Sequence, residues 1–139
     1  MSSKDPNKLQ IELNRLQSRL DLLVAYGHDQ NIVEAYGHLL AHIKSTPSET
    51  YFPIVKIMQI AKINDTESLL SIVEFFSSVL DVVYVYLTHD SDIEISAESY
   101  FDTIENGSNP RELLTGKVID KFQLDRLSFY CRINHQLLA

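Results

Sequence analysis

The stretch Thr66–Ile95, TESLLSIVEFFSSVLDVVYVYLTHDSDIEI, changes its apolar period part-way, and that change decides the fold class. Leu69, Leu70, Ile72, Val73, Phe75 and Phe76 crowd the first half, as in a helix buried at the centre of a core. Asn64, with Glu67 three residues on, forms a capping-box-like start for a helix over Thr66–Ser78. Val82–Leu87 is instead β-branched and aromatic, His89-Asp90-Ser91-Asp92 is turn-forming, and Ile93–Ile95 offers a second short strand. A helix that feeds a hairpin implies an α+β chain.

Upstream, Asp5 and Pro6 suit the cap and first position of a helix. Leu9, Leu13, Leu16, Leu20 and Leu23 then alternate four- and three-residue spacings, a heptad seam. At little more than two heptads it is too short to hold a free dimer alone, so it should dock on its own chain or extend a larger interface. Gly27–Asn31 reads as a turn, and Ile32, Tyr36, Leu39 and Ile43 continue the rhythm, which completes a helical hairpin. Ser45-Thr46-Pro47-Ser48 breaks it, and Pro53–Ile63 is a further apolar helix. Downstream, Ser96 caps a short helix through Tyr100, Phe101 and Ile104 that Asn106-Gly107 ends. Leu127–Ile133 alternates as a strand does, with a helix over Gln123–Ala139 as the other reading. Residues 1–45 are thus expected as a helical hairpin and 46–139 as an α+β region, together one compact unit.

Ile32–Ser45, Pro53–Ile63, Thr66–Ser78 and Val82–Ile95 follow one another as helix, helix, helix and hairpin, which resembles a winged-helix module. The later run of Ile93-Glu94-Ile95-Ser96, Asn106-Gly107, Pro110, Thr115-Gly116 and a final aromatic strand is similar to accessory winged-helix proteins of bacterial regulatory and defence systems. The resemblance implies a mostly helical α+β fold: an N-terminal helical hairpin on a winged-helix-like core, with a β-hairpin and a C-terminal strand. It carries no activity with it. A DNA-binding member would place Thr66–Ser78 in the major groove.

Charge opposes that use. The chain has a net charge of −7, and residues 63–110 hold ten acidic side chains with no Lys or Arg. Glu67 and Glu74 lie on the recognition-helix candidate, and Asp90, Asp92 and Glu94 on the wing candidate. Neutralising phosphates supplies most nucleic-acid affinity, so this surface would repel DNA. A DNA-binding regulator would instead need Lys56, Lys62, Arg111, Lys117, Lys121, Arg126 and Arg132 to converge.

Catalytic and metal-binding patterns fare poorly. Glu34, His38 and His42 stack at four-residue spacing, yet a zincin helix needs Glu where Leu39 stands, and Cys131 is the single cysteine. A solvated or partner-facing stripe is the simpler reading. Asp90, Asp92 and Glu94 alternate like a calcium loop, but Ile95 and Phe101 occupy the positions of its glycine and its bidentate glutamate. The four glycines are scattered, and no nucleophile elbow or phosphate loop occurs, so no enzyme, cofactor or metal is expected. Cys131 reads as a buried small hydrophobe in a reducing compartment.

The expected function is therefore a cytoplasmic protein-binding adaptor or regulatory subunit with a basic protein partner, without nucleic acid or membrane. Its contact residues are Glu67, Glu74, Asp90, Asp92 and Glu94, with Leu13, Leu16 and Leu20 of the seam. Tyr84 and Tyr86 share one strand face and either join that contact surface or cover the Leu9–Leu23 helix. Self-association through the N-terminal helix is compatible with this reading. A DNA-mimic inhibitor and a DNA-binding regulator are the alternatives.

Overall fold

The computed structural model describes residues 7–138, and the expected helix start at Asp5 and Pro6 lies outside them. The fold is α+β, and the chain separates into two units: residues 1–81 with 132–139, and Val82–Cys131.

In the first unit, α1 (Lys8–Ala25) opens where the Asn7 side chain accepts the Leu9 N–H at 2.7 Å. Leu9, Leu13, Leu16 and Leu20 are buried, and α1 packs against α2 (Gln30–Ser45). Gly37 makes room there: a Cβ at this position would lie 3.8 Å from the Leu20 side chain. Lys44 Nζ also donates to Gln17 Oε1 across the pair at 2.6 Å. The turn takes φ +68° at position 27, which glycine accepts without strain, and the Asp29 carboxylate then caps α2 by accepting the Asn31 N–H at 3.0 Å.

Strand β1 (Tyr51–Pro53) precedes α3 (Ile54–Ala61), so Pro53 ends a strand rather than opening the helix. Its extended ψ of 158° places it just before the first turn. Lys62 stops α3 by adopting the left-handed region at φ +60°, which lets the Ile63 N–H reach the Met58 carbonyl. The next cap is Asp65, not Asn64, and its carboxylate accepts the Ser68 N–H at 2.9 Å to start α4 (Thr66–Phe75). A charged acceptor suits the positive end of the helix better than an amide does.

Helix α2 also packs against α3 and α4, so the N-terminal hairpin is no separate domain and the expected boundary near residue 45 is absent. Tyr36 stacks on Phe75 at 4.2 Å, and the Arg19 guanidinium lies 4.9 Å from the Phe75 ring centroid.

Four strands form one sheet in the order β1-β4-β2-β3, with β2 at Leu80–Leu87, β3 at Asp92–Ile95 and β4 at Leu127–Ile133. Within the first unit, the Ile133 N–H bonds the Thr50 carbonyl at 2.9 Å and the Asn134 N–H bonds the Val79 carbonyl at 2.8 Å. In the second unit, β2 and β3 pair antiparallel from Tyr84↔Ile95 to Leu87↔Asp92. The Thr88 hydroxyl secures the loop between them by donating to the Ser91 carbonyl and accepting the Ser91 N–H.

Helix α5 (Ala97–Asn106) runs from the Ser96 cap to Gly107 at φ +73°, as the sequence suggests. Residues 110–119 fold back along β3, where Glu112 bridges Ile95 and Val118 bridges Arg111. Strand β2 is covered on both faces. Val83 and Val85 are buried, Tyr86 is buried, and Tyr84 is half-buried against Tyr100, Phe101 and Phe129.

Truncation of Leu16 tests the hairpin packing. Leu16→Ala should cost roughly 2–5 kcal/mol in denaturant unfolding, while exposed Leu22→Ala should stay within about 0.5 kcal/mol. Equal effects at the two positions would refute the assignment of the buried face.

Candidate functional site

The acidic side chains fall in both units and remain uncompensated. Among the described residues the ion pairs are Arg15–Glu12, His42–Glu49 and Lys56–Glu49, and none involves a carboxylate of residues 63–110. In the first unit Glu67 and Glu74 lie seven residues apart on α4, both exposed, which puts them on one face. Asp65 is held below the usual carboxylate range by the Ser68 N–H and belongs to the cap. In the second unit, the hairpin brings exposed Asp90, Asp92 and Glu94 together.

Other expected contact residues are occupied by the chain itself. Leu13, Leu16 and Leu20 are buried, because α2 fills the seam that a partner helix would need. Tyr86 is also buried, and its hydroxyl accepts the Gln123 N–H at 2.8 Å. Tyr84 lies under α5, and burial raises its pKa and that of Tyr100. The tyrosine face is thus an aromatic layer beneath α5 and the 121–126 loop, not an open patch.

Helix α5 supplies what the sequence reading missed. Its buried side chain is Thr103, whose hydroxyl donates to the Ser99 carbonyl, while Phe101 and Ile104 are 46% and 47% exposed. Exposed Glu98, Asp102 and Glu105 border these two apolar side chains. Beside them runs a groove of about 610 Å³ whose lining includes Glu98, Asp102, Glu112, Leu113 and Arg111. Arg111 is its one lining cation, and its Nη1 donates to the Gly116 carbonyl at 3.3 Å. Three carboxylates facing one committed guanidinium leave the groove anionic. The spacing of Tyr100, Phe101 and Ile104 gives a helix but not which side of it is buried, and Glu112 lies just beyond the acidic segment 63–110.

The Glu34, His38 and His42 stripe does not converge. Glu34 and His38 are exposed, whereas His42 Nε2 lies 3.1 Å from Glu49 Oε1. Glu49 is held below the usual glutamate range by the Lys56 ammonium first and by His42 second. No set of three His, Cys, Asp or Glu side chains suited to a metal occurs among the described residues. No helix among them is long and apolar enough to cross a membrane.

Cys131 is fully buried, and desolvation pushes its thiol up to about 12. The folded chain therefore keeps a proton that the unfolded chain releases near pH 9. Stability should fall by about 1.4 kcal/mol per pH unit as pH rises from about 9 towards 12. Unfolding curves across that range should show a shallower loss in Cys131→Ala than in the parent. Parallel losses would show that the thiol does not titrate in this way.

Comparison of the chain with protein-family models, curated proteins and solved structures found no match in any of the three.

Proposed function

We propose that this chain is a non-catalytic adaptor or regulatory subunit that docks a basic protein segment on the α5 face. The observation that carries this reading is the exposed Phe101–Ile104 pair, rimmed by Glu98, Asp102 and Glu105 beside the anionic groove. An apolar centre supplies burial, while the acidic rim steers encounter and selects cationic partners. A DNA mimic has no need of the apolar centre, since a phosphate array offers none. Exposed Asp90, Asp92 and Glu94 in this unit, with Glu67 and Glu74 in the other, extend the preference for cationic protein over nucleic acid.

We read the succession α2, β1, α3, α4, β2 and β3 as winged-helix-like, with acidic side chains on α4 in one unit and on the hairpin in the other. Buried Cys131 suits a reducing cytoplasm. Since the leucine seam is filled, self-association through α1 would rest on its exposed Ile11, Leu22 and Val24.

A Lys/Arg-rich amphipathic peptide should bind the protein and weaken as salt rises. Glu98→Lys with Glu112→Lys should reduce affinity roughly tenfold or more. Phe101→Ser should weaken binding while leaving the salt dependence in place. Tight, salt-sensitive binding of duplex DNA with no peptide binding would reject the reading in favour of a DNA-binding regulator.

A further inference from the structure

The cavity between the end of β2 and residues 121–126 has the opposite charge character to the α5 groove. It is a shallow, open depression of about 260 Å³, and its lining includes Tyr86, Thr88, His89, Lys121, Gln123 and Arg126. Two permanent cations and no carboxylate face it. Asp90, Asp120 and Asp125 are close in sequence but lie outside the lining.

Its donors are set in place and only partly used. Arg126 Nε donates to Gln123 Oε1 at 2.9 Å and its Nη1 to the Leu87 carbonyl at 3.4 Å. Those two acceptors fix the guanidinium plane, while the Nη2 hydrogens have no acceptor among the described residues. Tyr86 is 6% exposed, and its hydroxyl accepts the Gln123 N–H but has no described acceptor for its own proton. Lys121 is exposed without a described partner, and its backbone adopts φ +54°, a conformation that L-residues rarely hold. A buried hydroxyl with a spare proton, a fixed guanidinium and an ammonium therefore line one small space.

We propose that this cavity binds a phosphate monoester dianion, with Arg126 and Lys121 on its oxygens and the Tyr86 hydroxyl as third donor. Two cations match the two charges of a monoester, and planar Arg donors suit phosphate oxygens. The volume lies below the ~300–1,000 Å³ of drug-sized pockets, so the site suits one such group and the start of its stem. Leu87 gives that stem an apolar wall.

Amide NMR of the full chain, titrated with inorganic phosphate at ionic strength held constant by chloride, tests the proposal. Saturable shifts are expected at Tyr86, Lys121, Gln123 and Arg126. Arg126→Gln and Lys121→Gly should each weaken binding about tenfold or more, and Tyr86→Phe about threefold to tenfold. Glycine accepts the backbone at position 121, so that variant keeps the fold while it removes the charge. O-Phosphoserine should bind as phosphate does, and dimethyl phosphate, a monoanionic diester, more weakly. Absence of saturable shifts, or shifts that survive both charge-removing variants, would overturn the site. Displacement of phosphate by a duplex oligonucleotide that binds more tightly would overturn the monoester assignment.

Discussion

Two backbone hydrogen bonds tie the end of the chain to its middle: Ile133 N–H to the Thr50 carbonyl, and Asn134 N–H to the Val79 carbonyl. They place the last residues of β4 beside β1 and beside the start of β2 in the first unit. Each bond joins residues more than fifty positions apart, so the sheet closes only after a long stretch of chain has been ordered. Loop entropy makes such pairings slow to form. The contacts of α1 with α2, and of α2 with α3 and α4, span shorter stretches of chain and carry less of that cost.

The electrostatic design follows a different rule. Among the described residues, the Lys and Arg side chains in ion pairs meet Glu12 and Glu49, upstream of the acidic segment. Carboxylates on α4, the hairpin and α5 are left to solvent, where self-repulsion is weak because water and salt screen it. In the second unit the signs separate. Glu98, Asp102 and Glu112 line one groove, while Lys121 and Arg126 line another cavity. A chain with net negative charge thus presents a local cationic site without diluting its anionic face.

Regular periodicity was the part of the fold open to reading. The Leu9–Leu20 seam, the hairpin, and the Ser96 cap with its Gly107 stop have strong local signals and each forms, while Leu127–Ile133, which reads as strand or helix from its sequence, forms the strand. β1 escaped because three residues ending in proline have no period to detect. The three-residue spacing to Glu67 points to Asn64 as the cap, but Asp65 is the residue whose carboxylate reaches the Ser68 N–H. Alternation along β2 leaves the tyrosine face either as a contact surface or as cover for the Leu9–Leu23 helix, and in the fold Tyr84 is half-buried under α5 while Tyr86 is buried. On α5 the small Thr103 takes the buried side, while Phe101 meets the Tyr84 ring and yet stays 46% exposed, and Ile104 is 47% exposed. The candidate site therefore depends on how one helix rotates about its axis, which a ten-residue segment with apolar positions on two sides does not specify.

The strand edges have a further effect on recognition. Glu112 and Leu113 already bond to Ile95 and Glu94 along the outer side of β3, and β1 at the opposite end is three residues long and closes in proline. Neither margin offers a run of free amides and carbonyls long enough to template an incoming strand. Both margins thus disfavour strand addition, which also keeps the backbone from promiscuous self-pairing.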